Sequence, residues 1–498
     1  MYLMRILLLL ILVSPCLQGQ TVFNRTYRIG GNNFTELLVT DTGYVSAALD
    51  DDNVKRLDFS VYDLQGNPLD TVQHDFNNVG YLPENCGKCL HEVNHSLYYA
   101  QSHFDAGDSA YVHFLKLDAN LNLLDSGNYV YRDSLGTQIY AMAFDSDSTF
   151  LITGYTFRKK PPLLGKYDLL VAKFDTAFNL LWEKGIEDNR PNEDLGYIGL
   201  DITVDHYNSV LISGYGKYGP NSSIVARFRR SDGYMHWFRE YVGPLGDAGM
   251  YTSDNGDGTY QFVRHVNTAQ TSTKGTLYNK IVTGTIDSTG SYSQLSTLGP
   301  NDQMIFTTDL IPTSDGNFYA AGFTNINGAR NSFGLKFAPN GDSLWMRYYY
   351  HEDQPDHSQV EIFFETPDSG FIHAGYYVDL FQSAGTGVFT WLLKTDQYGC
   401  DSIGCHKVGL YEAHIPGLLE VFPNPSTGDF RLSWTYGPPE TFALTIQDVS
   451  GKVIYRDDTA FLSEQDYNVD LRQHPPGAYL LHLTLDGKHV VSRKLVVF

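Results

Sequence analysis

The sequence predicts an all-β protein, a seven-bladed β-propeller followed by a small Ig-like antiparallel β-sandwich, on three observations. A unit typified by Ser314 to Tyr349 recurs along most of the chain, a strand-like segment near the start completes its last copy, and from residue 418 short alternating strands divided by Pro and Gly replace it.

In the typical unit, Asp315-Gly316 is a turn, because Asp bonds its own backbone and Gly accepts positive φ. The apolar run Phe318 to Phe323 reads as a buried strand, and Gly322 within it suggests close backbone approach. Gly334 to Phe337 alternates into another strand, and Pro339-Asn340-Gly341-Asp342 turns it into Leu344-Trp345-Met346-Arg347-Tyr348. The turn position recurs at Asp63, Asp118, Asp175, Arg229, Asp287, Ala338 and Asp396, at intervals of 55, 57, 54, 58, 51 and 58 residues. A unit of this length cannot bury both faces of its sheet alone, so radial stacking follows. The fifth copy, Tyr260 to Gly290, is the weakest.

The seventh copy runs out after Cys400 without an outer strand. Val22 to Gly31 supplies one, since Phe23, Arg25 and Tyr27 match Trp237, Arg239 and Tyr241 of the fourth copy. This strand is expected to close the ring and remove an exposed edge.

At the start of the chain, Arg5, the apolar run Ile6 to Val13 and small or polar residues to Gln20 have the three regions of a secretory signal peptide, with cleavage near Gly19-Gln20. The run is too short to span a bilayer. Pro15 directly before Cys16 fits a lipidation motif poorly. The expected boundaries are a signal peptide over 1–19, the propeller over 20–408, a linker over 409–417 and the sandwich over 418–498.

Four cysteines remain after cleavage, in two close pairs, Cys86 with Cys89 and Cys400 with Cys405. An exported chain meets an oxidising compartment, so two local disulfides are expected, a four-thiolate zinc site being the alternative. The formal charge of −22, from 57 acidic and 35 basic residues, argues against nucleic acid or an anionic membrane as partner. No transmembrane segment is expected in the mature chain. Aromatic residues at 14 % suit interblade packing, and would also suit a sugar-stacking surface.

Residues Leu419 to Trp434 ("LEVFPNPSTGDFRLSW"), Ile446 to Ile454 ("IQDVSGKVI"), Pro475 to Leu483 ("PPGAYLLHL") and Arg493 to Phe498 ("RKLVVF") resemble, in order and spacing, the type A C-terminal sorting domain of Bacteroidota type IX secretion cargo. The motif positions are Pro423, Asn424, Pro425, Gly428, Gly451, Lys452, Gly477, Tyr479 and Lys494. The resemblance implies export through the periplasm, engagement of the type IX secretion machinery, and release or attachment at the outer cell surface. The residues also have a direct reading: Pro423 and Pro425 fix φ and withhold two donors, so "FPNP" should be an extended edge, and Gly451 and Gly477 should serve tight turns.

No constellation specifies a reaction. His91 to His95 spells HExxH, which holds zinc when a helix puts both His on one face. This segment leads into a strand, where residues four apart are separated by roughly 13 Å, too far to share one metal. Asp-rich turns at Asp50 to Asn53, at Asp145 with Asp147, and at Asp254 to Gly258 are places where calcium could bind, though none follows the EF-hand loop. No cofactor and no catalytic residue is assigned. The expected function is a secreted or surface scaffold binding an extracellular protein or glycan. The alternative is a hydrolase or lyase acting on extracellular polymer from the propeller funnel, favoured by an axis lined with Asp, Glu and His, whereas a channel filled by apolar side chains favours the scaffold.

Overall fold

The computed structural model describes residues 21–498 apart from 28–33, 51–55, 76–86, 105–109, 133, 159–166, 188–195, 218–220, 244, 272–276, 301–302, 327–328, 350–357, 380–386, 403–404, 406–418, 434–439, 450, 463–466 and 486–487. The chain divides into two compact units, 1–403 and 404–498. No α-helix occurs among the described residues.

The first unit is a β-propeller built of successive antiparallel sheets. The first sheet contains Phe34–Thr40, Gly43–Asp50, Arg56–Asp63 and Pro68–Asp75, and the second Leu90–Val93, Ser96–Phe104, Ala110–Leu117 and Leu123–Tyr129. The third (Ser134–Ser146, Thr149–Arg158, Tyr167–Asp175, Leu180–Ile186) and fourth (Gly196–Val204, Ser209–Lys217, Ser222–Arg229, Met235–Tyr241) touch through one parallel pairing, Tyr167 with Gly196. The fifth is Asp247–Asp254, Tyr260–Thr271, Leu277–Ile286 and Tyr292–Leu298; the sixth is Met304–Pro312, Phe318–Ile326, Ala329–Phe337 and Ser343–Tyr349. The seventh combines Ser358–Glu365, Phe371–Asp379 and Gly387–Thr395 with Phe23–Tyr27, which pairs antiparallel with Gly387–Thr395 from Phe23↔Lys394 to Tyr27↔Thr390.

The core is distributed between sheets. Phe114, Phe150 and Phe174 pack the second against the third. Val171, Ile212 and Phe228 pack the third against the fourth. Tyr319, Phe363 and Trp391 join the sixth to the seventh, and Tyr44, Tyr62, Ile372 and Leu392 join the seventh back to the first. Each sheet therefore buries both faces only because it has a neighbour on each side, which is what the repeat length requires.

The Gly of the second strand has a steric cause. At Gly154, Gly214, Gly322 and Gly375 an added Cβ would lie 2.0, 2.0, 2.0 and 1.9 Å from the carbonyl oxygens of Gln138, Ile198, Phe306 and Gln359. Those carbonyls precede a register shift in the innermost strand, between Ile139 and Ala141, Gly199 and Asp201, Thr307 and Asp309, and Val360 and Ile362. A bulge bends its strand and re-aims the residue that follows, and only Gly lets the partner backbone come close enough.

The outer strands carry a repeated clasp onto the turn of the next sheet. Phe23 covers Gly66, Trp237 covers Gly290 and Trp345 covers Gly399, all three glycines having positive φ. Tyr27, Tyr241 and Tyr349 donate to the carbonyls of the same glycines. Arg25 reaches Asn67, Arg239 reaches the Thr289 carbonyl and Arg347 that of Tyr398. The strand from the start of the chain thus uses the same three side-chain positions as the fourth and sixth sheets.

The second unit is a sandwich. A three-stranded sheet, Glu420–Phe422, Asp429–Ser433 and Tyr467–Asp470, accompanies a four-stranded sheet in the order Val453–Leu462, Glu440–Asp448, Gly477–Leu485, Lys488–Val497. Leu419, Phe430, Leu432, Leu444, Ile446, Leu481, Leu483 and Leu495 fill its core. Two sequence expectations need correction. "FPNP" is not extended: the strand stops at Phe422 and Pro423 to Pro425 bend, because fixed φ and absent donors end the pairing there. Gly451 sits in a turn at positive φ, but Gly477 opens a strand, paired with Val497, and the turn lies upstream at Arg472 to His474.

Candidate functional site

Three innermost strands send carboxylates inward. Asp201 and Asp309 follow the register shifts of the fourth and sixth sheets, and Glu36 follows that of the first. Between them stands Lys88. Its segment is fixed by backbone bonds: Gly87 N donates to Tyr140 O, Met142 N to Lys88 O and Ala100 N to Cys89 O. The Lys88 Nζ lies 2.8 Å from Asp201 Oδ1 and 2.6 Å from Asp309 Oδ1, with the lysine side chain 25 % exposed and the two carboxylates 1 % and 7 %. One ammonium therefore links sheets two, four and six. The Thr252 amide also donates to Asp201 Oδ2 at 3.3 Å.

The electrostatics follow from burial and from an excess of acid. Burial pushes the Asp309 carboxyl up to about 6, Lys88 opposing and Asp201 adding to the rise. The two aspartates hold the Lys88 ammonium above its ordinary range despite burial. Glu36 is 1 % exposed and burial raises it well above the carboxylate range, the amides of Cys89 and Leu90 and the charge of Lys88 only partly offsetting this. Tyr251 on the fifth sheet is raised by burial and then by Asp309, Asp201 and Glu361. Such a cluster is a buried ion group in which a single ammonium is shared by two carboxylates.

The sequence candidates are distributed as follows. Cys89, Cys400 and Cys405 are disulfide-bonded, Cys400 with Cys405, while Cys86 lies outside the described residues. The HExxH segment is a hairpin: His91 is in Leu90–Val93, its Nε2 donating to Met142 O at 2.8 Å, and His95 is in the turn at positive φ. Of the Asp-rich turns, Asp254 accepts from the Gly256 amide and from His206, and Asp257 from the amide and hydroxyl of Thr259. Asp145 pairs with Lys173, and Asp51 to Asn53 lie outside the described residues. Among the described residues no group of three or more His, Cys, Asp or Glu side chains is gathered to hold a metal.

The motif residues of the sandwich are brought together more closely. Asn424 uses both ends of its amide on the closing strand, Nδ2 donating to Lys494 O at 2.6 Å and Oδ1 accepting from Val496 N at 2.9 Å. Gly428, at positive φ, accepts from Leu471 N, and an added Cβ there would lie 2.8 Å from Arg472 N. Tyr479 Oη donates to Pro475 O, and Lys452 N donates to Asp448 across the Gly451 turn. Residues 420–498 match the family described as "Secretion system C-terminal sorting domain".

The second unit is a secretion sorting domain. The sorting domain marks the chain for secretion or attachment at the outer cell surface, and implies contact with the secretion machinery. No helix among the described residues is long and apolar enough to cross a membrane. Among curated proteins, none matches the chain. Similar solved structures include the β-propeller domain of the Trilobed protease from Pyrococcus furiosus, at 11 % identity over 74 % of this chain and 99 % of that one, TM-score 0.40. A quinohemoprotein alcohol dehydrogenase from Pseudomonas putida HK5 shares 11 % identity over 78 % of this chain and 69 % of that one, TM-score 0.41. Likenesses of this strength carry no argument about activity.

Sequence reasoning missed the axial cluster. Its signal was present, however: in "YIGLDITV", "IFTTDLIP" and "FTELLV" a single acid interrupts an otherwise apolar or neutral inner strand at one repeat position.

Proposed function

We propose that the chain is a secreted or surface-displayed seven-bladed propeller that binds an extracellular protein or glycan without catalysis, delivered by its sorting domain after a signal peptide over 1–19. The reading is carried by the axis. Asp201 and Asp309 are buried and already paired with Lys88, so these two acids serve to hold three sheets together. The competing reading, a hydrolase or lyase acting on extracellular polymer, draws on Asp309, whose raised carboxyl would suit a general acid near neutral pH.

The two readings part in one experiment. Purified protein is incubated with extracellular polysaccharide and outer-membrane protein fractions, and both retained protein and released reducing ends or peptides are measured. Retention without release, unchanged in Asp309→Asn, is the expected result. Product release that Asp309→Asn abolishes would overturn it.

A further inference from the structure

The closing strand of the sorting domain, Lys488–Val497, is the edge of its sheet and pairs with Gly477–Leu485 on one side only. An uncovered edge invites another strand. Here the outer side is covered by the bend at Pro423 to Ser426. Ser426 N donates to Val496 O at 2.9 Å and Phe498 N donates to Ser426 O at 3.1 Å, while Asn424 fills the next positions with its side chain. Arg493 continues the cover, its guanidinium bonding Ser492 O and Leu419 O. A planar amide that uses one N–H and its oxygen matches the C=O and N–H of a strand two residues apart, so Asn424 imitates a neighbouring backbone.

What this cover leaves outward is a fixed mixed surface. Phe422 is 39 % and Phe498 69 % exposed, and Pro423, Pro425 and Lys494 are also exposed. These side chains are open to a partner that meets the bend and the closing strand together. Both halves of the surface lie within the residues that match the sorting family.

We propose that the export signal is this composite surface, and that Asn424 is the positioning residue that fastens the closing strand to the Pro-Asn-Pro bend so that Phe422, Phe498 and Lys494 are presented in one register to the secretion machinery. The partner site that fits is an apolar groove for the two rings beside a carboxylate for Lys494. Aspartate at 424 retains the acceptor for Val496 N and loses the donor for Lys494 O, so it should behave as a half-clasp.

The test uses the full chain in a host with type IX machinery, reading the fraction exported past the outer membrane. Hydrogen exchange at Val496 and Phe498 and the melting of purified protein are read in parallel. Asn424→Ala should lower export about tenfold, with faster exchange at Val496 and a sandwich that still melts cooperatively, a few degrees lower. Asn424→Asp should fall between. Phe422→Ala with Phe498→Ala removes exposed rings without touching the core, so it keeps the test decisive if Asn424→Ala does not fold, and it should lower export similarly. Val449→Ser, at an 87 % exposed site elsewhere on the domain, should export normally. Normal export of Asn424→Ala despite a released strand, or of the double Phe variant, would overturn the proposal.

Discussion

The two strands nearest the ends of the chain are both edge strands, and they are fastened in opposite ways. Phe23–Tyr27 joins its sheet by five backbone pairs and is then held from outside, Phe23 over Gly66, Tyr27 on the Gly66 carbonyl, and the Trp391 indole donating to Asn24 at 2.6 Å. Lys488–Val497 also has a full partner, but its outer side is met by one asparagine amide and a two-bond contact with Ser426. The first fastening buries aromatic area and is structural throughout. The second covers backbone polarity and leaves the side chains outward, which suits a surface that another protein reads.

The contrast is broken most severely by deleting residues 22–27. The seventh sheet would lose its outer strand and its clasp on the first, and cooperative urea unfolding of the propeller should disappear. Phe23→Ala alone should cost about 3 kcal/mol, from lost burial and the cavity left over Gly66, measured as a shift in the urea midpoint.

Lys88→Met comes next. Removing the ammonium leaves Asp201 and Asp309 facing each other without a cation, a loss of about 3 kcal/mol at pH 7. Combining it with Asp201→Asn and Asp309→Asn should recover most of that loss, and failure to recover would mean that the lysine's packing matters more than its charge.

A pH series separates the ring from the sorting domain. His373 is fully enclosed on the seventh sheet, its Nδ1 donating to Leu393 O and its Nε2 accepting from Tyr319 Oη, and burial lowers its pKa from 6.5 to about 3. A base lowered in the folded state gives stability that is complete above 6.5 and is lost as pH falls toward 3. Between pH 6.5 and 5 this amounts to about 2 kcal/mol. His373→Phe should flatten that part of the propeller's melting curve. Asp309 acts with the opposite sign, since its raised carboxyl costs stability as pH rises through about 6. The smallest effect is expected from Asn424→Ala, at about 1 kcal/mol for exposed hydrogen bonds, even though its effect on export is large.

Much of this was legible in the sequence wherever a feature is repeated or local. Phe23, Arg25 and Tyr27 align with Trp237, Arg239 and Tyr241 because both strands grip the same kind of turn, and Gly322 announced its close approach because no side chain fits against the Phe306 carbonyl. The axial ion group was not legible, since Lys88 meets Asp201 across 113 positions and nothing in local spacing fixes which inner residues face the axis. The same holds for Asn424, whose partners lie 70 and 72 residues away. Register shifts decided the first case, and a bend where an extended edge was expected decided the second.

The axial group also gives the sheets individual addresses. At the position that follows the register shift, the fourth and sixth sheets place Asp201 and Asp309, whereas the third and seventh place Ala141 and Ile362. Modules so alike in outline could in principle trade places around the ring. Exchanging the third for the fourth would bring an alanine to Lys88 and strand one aspartate among apolar neighbours. The charges at the centre therefore work as a key code, legible only when every module occupies its own slot.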